Sequence, residues 1–162
     1  TFGNNTFVAV GNSGNIVRST DNGSSFDNAT SSNGNTLYTV AFGNNTFVAV
    51  GNSGNIVRST DNGTTWDNAT SPTGMLLFGV AFGNNTFVAV GNSGNIVRST
   101  DNGSTFDNAT SPTGNNLRGL GFGNNTFLAT GTSGNIVRST DNGTTWDNAT
   151  TPTANTIWGV AF

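Results

Sequence analysis

The 162-residue chain contains no cysteine, histidine, lysine or glutamate. Without Cys there is no disulfide and no thiol chemistry, and the redox compartment stays unassigned. Without His, Cys and Lys the commonest general base and two familiar nucleophiles are missing. Without Glu, a paired-carboxylate site would have to be made from Asp alone. Charge of either sign is scarce: all five cations are Arg, all eight acids are Asp, and the net charge is −3. That balance gives no basic footprint for nucleic acid. No apolar run approaches the roughly 18 residues of a membrane span. No leader-like segment is visible, and Thr1 at the start fits either signal cleavage or a piece of a longer chain.

What remains is mostly Gly, Asn, Ser and Thr. Hydrophobic residues make up 33% of the chain, so the core must be small and economical. Leu, Ile, Val and Phe together number 36, just above the level at which disorder is the default. The low charge argues against disorder by self-repulsion. The length suits one domain.

The order comes from repetition. The string FGNNTF begins at Phe2, Phe42, Phe82 and Phe122, and GNIVRSTDNG begins at Gly14, Gly54, Gly94 and Gly134. The period is 40 throughout, which divides one repeat domain into units 1–40, 41–80, 81–120 and 121–160. Phe26 and Phe106 alternate with Trp66 and Trp146, as though an 80-residue pair had been duplicated.

Within a unit, Leu37–Phe42, Thr46–Val50, Ile56–Thr60 and Trp66–Thr70 are short runs rich in β-branched and aromatic residues, separated by Gly-Asn turns. No segment keeps a helical period over ten residues. The expected fold is therefore all-β: a β-propeller of four blades, each a four-stranded antiparallel sheet. The first unit lacks most of its opening strand, and the chain ends on a spare copy, 157–162. That strand is expected to complete the first blade or a neighbouring molecule.

The polar stretch STDNGTTW at 59–66 returns in every unit. It resembles the Asp-box, Ser-x-Asp-x-Gly-x-x-Trp/Phe, and the units around it resemble Asp-box (BNR-type) β-propeller repeats over the whole chain. The matching positions are Asp21, Gly23 and Phe26; Asp61, Gly63 and Trp66; Asp101, Gly103 and Phe106; Asp141, Gly143 and Trp146. The resemblance implies a structural hairpin between the outer two strands of each blade. The chemistry agrees: Asp accepts N–H groups of its own turn, Gly takes positive φ, and the aromatic residue buries a large area. Pairing Thr60 with Thr65 sets Arg58 opposite Asp67. Cross-strand pairs are expected at Arg18–Asp27, Arg58–Asp67, Arg98–Asp107 and Arg138–Asp147.

Sialidases share only the box with this chain. Their chemistry implies an Arg cluster, a Tyr nucleophile and a Glu, but Glu is absent and Tyr38 is the sole Tyr. Asp-box photosystem assembly factors, a further resemblance, imply a basic patch that Asp-paired Arg residues do not supply. Asp/Asn turns lack the ligand density of known calcium loops. No enzyme activity, metal or cofactor is expected.

Twelve Asn-x-Ser/Thr sequons are present: Asn4, Asn22, Asn28, Asn44, Asn62, Asn68, Asn84, Asn102, Asn108, Asn124, Asn142 and Asn148. Repetition reduces them to three independent positions per unit. Asn68 and its equivalents lie on the outer edge strand, where neither Lys nor Pro blocks sheet pairing, and a glycan would. The linkers between units differ most. They bring Tyr38, Phe78, Arg118 and Trp158 into one column near the start of the innermost strand, a candidate surface for binding or assembly. The expected function is a non-catalytic extracellular or cell-surface structural repeat, N-glycosylated and self-associating as a ring or fibre. A carbohydrate-binding propeller using that column is the alternative, and an engineered or fragment propeller without ligand is another.

Overall fold

The computed structural model describes residues 1–162 and consists of four antiparallel four-stranded sheets, one per unit. The first sheet comprises β1 (Phe2–Gly3), β2 (Thr6–Val10), β3 (Ile16–Ser19) and β4 (Asp27–Asn28). The second comprises β5 (Leu37–Gly43), β6 (Thr46–Gly51), β7 (Ile56–Ser59) and β8 (Asp67–Asn68). The third comprises β9 (Leu77–Gly83), β10 (Thr86–Gly91), β11 (Ile96–Ser99) and β12 (Asp107–Ala109). The fourth comprises β13 (Leu117–Gly123), β14 (Thr126–Gly131), β15 (Ile136–Ser139) and β16 (Asp147–Asn148). Strands follow one another in space as in sequence.

Local chemistry sets the corners. Asn44 and Asn45, at φ 48° and 57°, join β5 to β6. A two-residue turn that matches strand twist needs positive φ at both positions, and Asn tolerates it. The next corner, Asn52–Gly54, is a single 3-10 turn with Ser53 and Gly54 both at positive φ.

Each sheet packs on the next through a fixed set of side chains. Val8 and Ile16 of the first sheet meet Leu37, Phe47, Ala49, Val57 and Trp66 of the second. The same set recurs between the second and third sheets and between the third and fourth. The innermost strands approach most closely where a Cβ at Gly43 would fall inside the Phe82 ring. Gly83 meets Phe122 in the same way.

The sequence TFVAV shows what this packing does. In β6 and β10 every residue of the run is buried. In β2 the identical run alternates, with Phe7 and Ala9 exposed. Phe7 is 37% exposed, against 0% for Phe47, Phe87 and Phe127. The difference is position: no sheet lies against the first one on that side.

Three expectations need correction. The outermost strand, expected over Trp66–Thr70, is only Asp67–Asn68. Trp66 turns inward, and Thr70 leaves its own sheet, its N–H donating to the Ser104 carbonyl at 3.0 Å. The spare segment Ile157–Phe162 forms no ladder and does not complete the first sheet in this chain. It lies along β13 instead: a Cβ at Gly123 would enter the Phe162 ring, as one at Gly83 would enter Phe122.

The third correction concerns the charges. The expected register is present, with Arg18, Arg58, Arg98 and Arg138 opposite Asp27, Asp67, Asp107 and Asp147. Only Arg138–Asp147 is an ion pair, at 3.9 Å and well exposed. An Arg with a following sheet can reach that sheet instead: Arg98 Nε donates to the Asn142 carbonyl at 3.3 Å. Arg138 has no following sheet and falls back on its cross-strand Asp.

Candidate functional site

The STDNG turn is a closed hydrogen-bond system. Asp61 Oδ1 accepts from the Ser59 hydroxyl at 2.8 Å and from the N–H groups of Thr64 and Thr65 at 3.1 and 2.9 Å. Its Oδ2 accepts from the Thr65 hydroxyl at 2.7 Å. The Gly63 N–H donates to the Ser59 hydroxyl at 2.9 Å, and Gly63 holds φ at 80°. Trp66 Nε1 donates to the Gly63 carbonyl at 3.1 Å, so its one polar group is satisfied under the turn.

These bonds lower the carboxyl pKa. For Asp141 the Thr145 hydroxyl and N–H are the main causes and hold it at about 2. For Asp101 burial pushes upward, but the Thr105 and Ser99 donors outweigh it and the value is again about 2. Asp61 shows the same balance of burial against Thr65, Ser59 and Thr64, with a net lowering. A carboxyl depressed on folding stabilises the fold above its unfolded pKa, and the gain disappears as pH falls through the folded value. The melting temperature is therefore expected to hold down to about pH 4 and to drop between pH 4 and 2. A variant with Asp61, Asp101 and Asp141 changed to Asn is expected to lose most of that slope in thermal melts. An unchanged slope would contradict the assignment.

The linker column assembles as a row. Tyr38 and Phe78 have ring centroids 5.4 Å apart. The Arg118 guanidinium lies 4.2 Å from the Phe78 centroid and 5.5 Å from that of Trp158. Trp158 is 71% exposed. The Tyr38 hydroxyl donates to Asn52 Oδ1 at 2.6 Å. Sequence reasoning missed why these side chains stand out. The ladder of β5 and β6 passes from Leu37–Gly51 to Thr39–Val50, which leaves Tyr38 as an extra residue. Phe78 and Arg118 are extra in the same way. A β-bulge re-aims its side chain out of the sheet, and here it does so in consecutive sheets.

The sequons divide by environment. Asn4, Asn22, Asn28, Asn44, Asn68, Asn84, Asn108, Asn124 and Asn148 are exposed. Asn62, Asn102 and Asn142 are half-buried and tied to the preceding sheet. Asn62 Nδ2 donates to the Thr6 hydroxyl and Asn102 Nδ2 to the Thr46 hydroxyl, each at 2.6 Å. Asn142 Oδ1 accepts from Asn84 Nδ2 at 3.0 Å. A polar cleft of about 390 Å³ lies at the second sheet, between the linker that precedes it and the one that follows it, lined by Asn33, Asn55, Asn68 and Thr73 among others. Two of its amides, on Asn33 and Asn55, bond reciprocally at 2.9 and 3.1 Å.

The remaining feature is a pair of unequal ends. Phe7, Ala9, Val17 and Phe26 form the uncovered face of the first sheet. Phe26 is 49% exposed, while its counterparts Trp66, Phe106 and Trp146 are 2%, 2% and 7%. At the other end Leu128 and Ile136 are half-buried, whereas their counterparts Val8 and Ile16 are buried.

No family model matches the chain, and no curated protein matches it in sequence. Solved structures do match in fold. YCF48 bound to a D1 peptide aligns with a TM-score of 0.66 at 20% identity, over 91% of this chain and 50% of that one. YCF48 from Cyanidioschyzon merolae aligns with a TM-score of 0.71 at 19% identity, over 98% of this chain and 56% of that one. An ancestral GH74 enzyme aligns with a TM-score of 0.73 at 20% identity, over 91% of this chain and 23% of that one. The chain spans about half or less of each. Together with the four consecutive antiparallel sheets, these likenesses show that the fold is a β-propeller type, with each sheet a blade.

Proposed function

We propose that this chain is a non-catalytic structural repeat protein of the Asp-box type, built to join further units of its own kind at its two end blades. The supporting observation is the pair of uncovered faces. Phe7, Ala9, Val17 and Phe26 are the residues that cover the preceding blade everywhere else, and here they have nothing to cover. Leu128 and Ile136 hold the positions that are covered everywhere else. The two faces are complementary by repetition, and an end-to-end join of unlike faces gives a ring where it closes and a fibre where it does not.

A non-catalytic role fits the side-chain inventory, because the box Asp residues are committed to their own turns. The setting is extracellular or cell-surface, with N-glycans on the exposed sequons. Asn28, Asn68, Asn108 and Asn148 guard the outer edges of the blades. Asn62 and Asn102 are poor carriers, since the Nδ2 that a glycan would take is the atom that ties each to the preceding blade. Sedimentation velocity across a concentration series tests the assembly: the wild type is expected to gain mass with concentration, and Phe26→Asp to stay monomeric. A wild type that is monomeric throughout would overturn it. Intact mass of native material before and after deglycosylation tests the sugars.

A second reading rests on the Tyr38–Phe78–Arg118–Trp158 row. Bulge-projected aromatic rings around a guanidinium suit the face of a sugar. The YCF48 structure in complex with a peptide is a propeller with a ligand of another class. A glycan array with wild type and Trp158→Ala separates the sugar reading from no ligand at all.

A further inference from the structure

Asn-Gly pairs occur in the chain at Asn22, Asn33, Asn62, Asn102 and Asn142. Such a pair is chemically labile, because Gly leaves its own amide nitrogen free to approach the preceding Asn side chain. All but Asn33 lie in the box turns, and there the fold opposes reaction. Each Gly N–H donates to a Ser hydroxyl, at 3.0 Å for Gly23 and at 2.9 Å for Gly63, Gly103 and Gly143. Each of these Asn residues is held at positive φ, between 60° and 63°. At Asn62 and Asn102 the Nδ2 is tied to the preceding blade, and the Oδ1 is buried without a donor.

Asn33 stands in the linker between the first two blades, where the other linkers carry Thr73, Thr113 and Thr153. Gly34 is exposed, and its N–H donates to no group of the chain. The Asn33 side chain folds back over that peptide, so that Oδ1 accepts from the Asn35 N–H at 3.1 Å. This turn brings Cγ beside the Gly34 nitrogen. Oδ1 also accepts from Asn55 Nδ2 at 3.1 Å. Nδ2 donates to Asn55 Oδ1 at 2.9 Å and to Asn68 Oδ1 at 2.6 Å. The oxygen of the amide is thus surrounded by donors and its nitrogen by acceptors. Asn95 and Asn135, the counterparts of Asn55, keep a buried Oδ1 without a donor, so the cluster depends on Asn33.

We propose that Asn33 is a self-modification site, whose amide is lost through a succinimide formed with Gly34. The Gly34 nitrogen gives its proton to hydroxide or water and bonds to Asn33 Cγ. Negative charge develops on Oδ1, where the Asn35 N–H and Asn55 Nδ2 stabilise it. Nδ2 takes a proton from water, and its positive charge meets Asn55 Oδ1 and Asn68 Oδ1. The Cγ–Nδ2 bond then breaks and ammonia leaves. Water opens the succinimide at either carbonyl, giving aspartate or isoaspartate at position 33. The net change is water in and ammonia out. The polar cleft of about 390 Å³ lined by Asn33 admits that water. The product puts a carboxylate into a cluster of neutral amides. Isoaspartate also adds a methylene to the linker backbone, where the Asn33 carbonyl occupies the place of a Cβ on Gly14. The reaction is a one-way change at the joint between two blades.

The test incubates folded protein and protein in guanidinium side by side at mildly alkaline pH. Released ammonia is assayed, and the amide-to-acid exchange is located by peptide fragmentation. In the folded chain, Asn33 is expected to react at least about tenfold faster than any box Asn. In guanidinium all the Asn-Gly pairs are expected to react alike. Gly34→Ala is expected to slow the Asn33 reaction at least about tenfold. Its Cβ meets nothing within 4 Å, so the melting temperature is expected to stay unchanged. Asn55→Ala removes a donor to Oδ1 and is expected to slow the reaction about tenfold, in the folded chain alone. Similar rates at every Asn-Gly pair of the folded chain, or a box Asn reacting first, would overturn the assignment. So would an Asn33 that reacts more slowly folded than in guanidinium, or no more slowly in Asn55→Ala. The bonds around the amide would then restrain it rather than assist the attack.

Discussion

Trp66→Ala is expected to destabilise the chain by about 3–5 kcal/mol, the usual cost of removing a large buried aromatic side chain. Trp66 is 2% exposed, packs against Phe47 at 6.2 Å between centroids, and belongs to the core shared by the first and second blades. Its removal opens a cavity between two blades and leaves the Gly63 carbonyl without its indole donor. Phe26→Ala, at the same place in the first blade, is expected to cost less than about 1 kcal/mol at low concentration, because Phe26 is 49% exposed and has no blade packed over it. The measurement is guanidinium denaturation followed by circular dichroism at dilutions where copies stay apart. Hydrogen exchange adds the local view, with the lost protection expected at the first two blades, since each blade contacts only its neighbours. Equal losses from the two substitutions would mean that the first blade is covered in solution by something else.

The second large effect is expected from one added methyl group. Gly83→Ala puts a Cβ where the Phe122 ring lies, and Phe122 is held by Phe127 at 4.6 Å between centroids. The ring cannot leave without uncoupling the innermost strands of the third and fourth blades, and overpacking of this kind costs about 1–3 kcal/mol or more. Gly123→Ala meets the Phe162 ring instead. That ring is exposed and has no following blade to hold it, so the substitution is expected to cost less than about 0.5 kcal/mol. Thermal melts of the two variants distinguish a steric demand of the stack from an intrinsic need for Gly in the strand. The second cause would lower both alike.

These paired comparisons show what could be read from sequence. The strands, their order and the Arg–Asp register followed from short apolar runs and from the turn residues between them. Such signals are local, and the antiparallel ladder is set by local turns. The destinations of the Arg side chains did not follow, because Arg98 is directed by the blade after its own. The shortness of the outer strand was hidden for the same reason: Thr70 is claimed by Ser104, which lies 34 residues further on. The bulges at Tyr38, Phe78 and Arg118 were also silent. A single extra residue in one strand leaves the surrounding composition unchanged and shows only when both strands are aligned. The row of four residues was visible as a column of variable positions, but its stacking depended on those bulges.

The sameness of the three interfaces has a consequence at the level of the gene. Each blade contacts its neighbours through positions that recur every 40 residues. Removing one whole period, or copying one, would leave a newly joined pair of blades facing the same partners as before. Insertion or loss of one 40-residue period in the coding sequence would then change the length of the protein in steps of one blade, with little penalty at any junction. What such a step would change is the number of blades in each molecule and how far round a propeller it reaches.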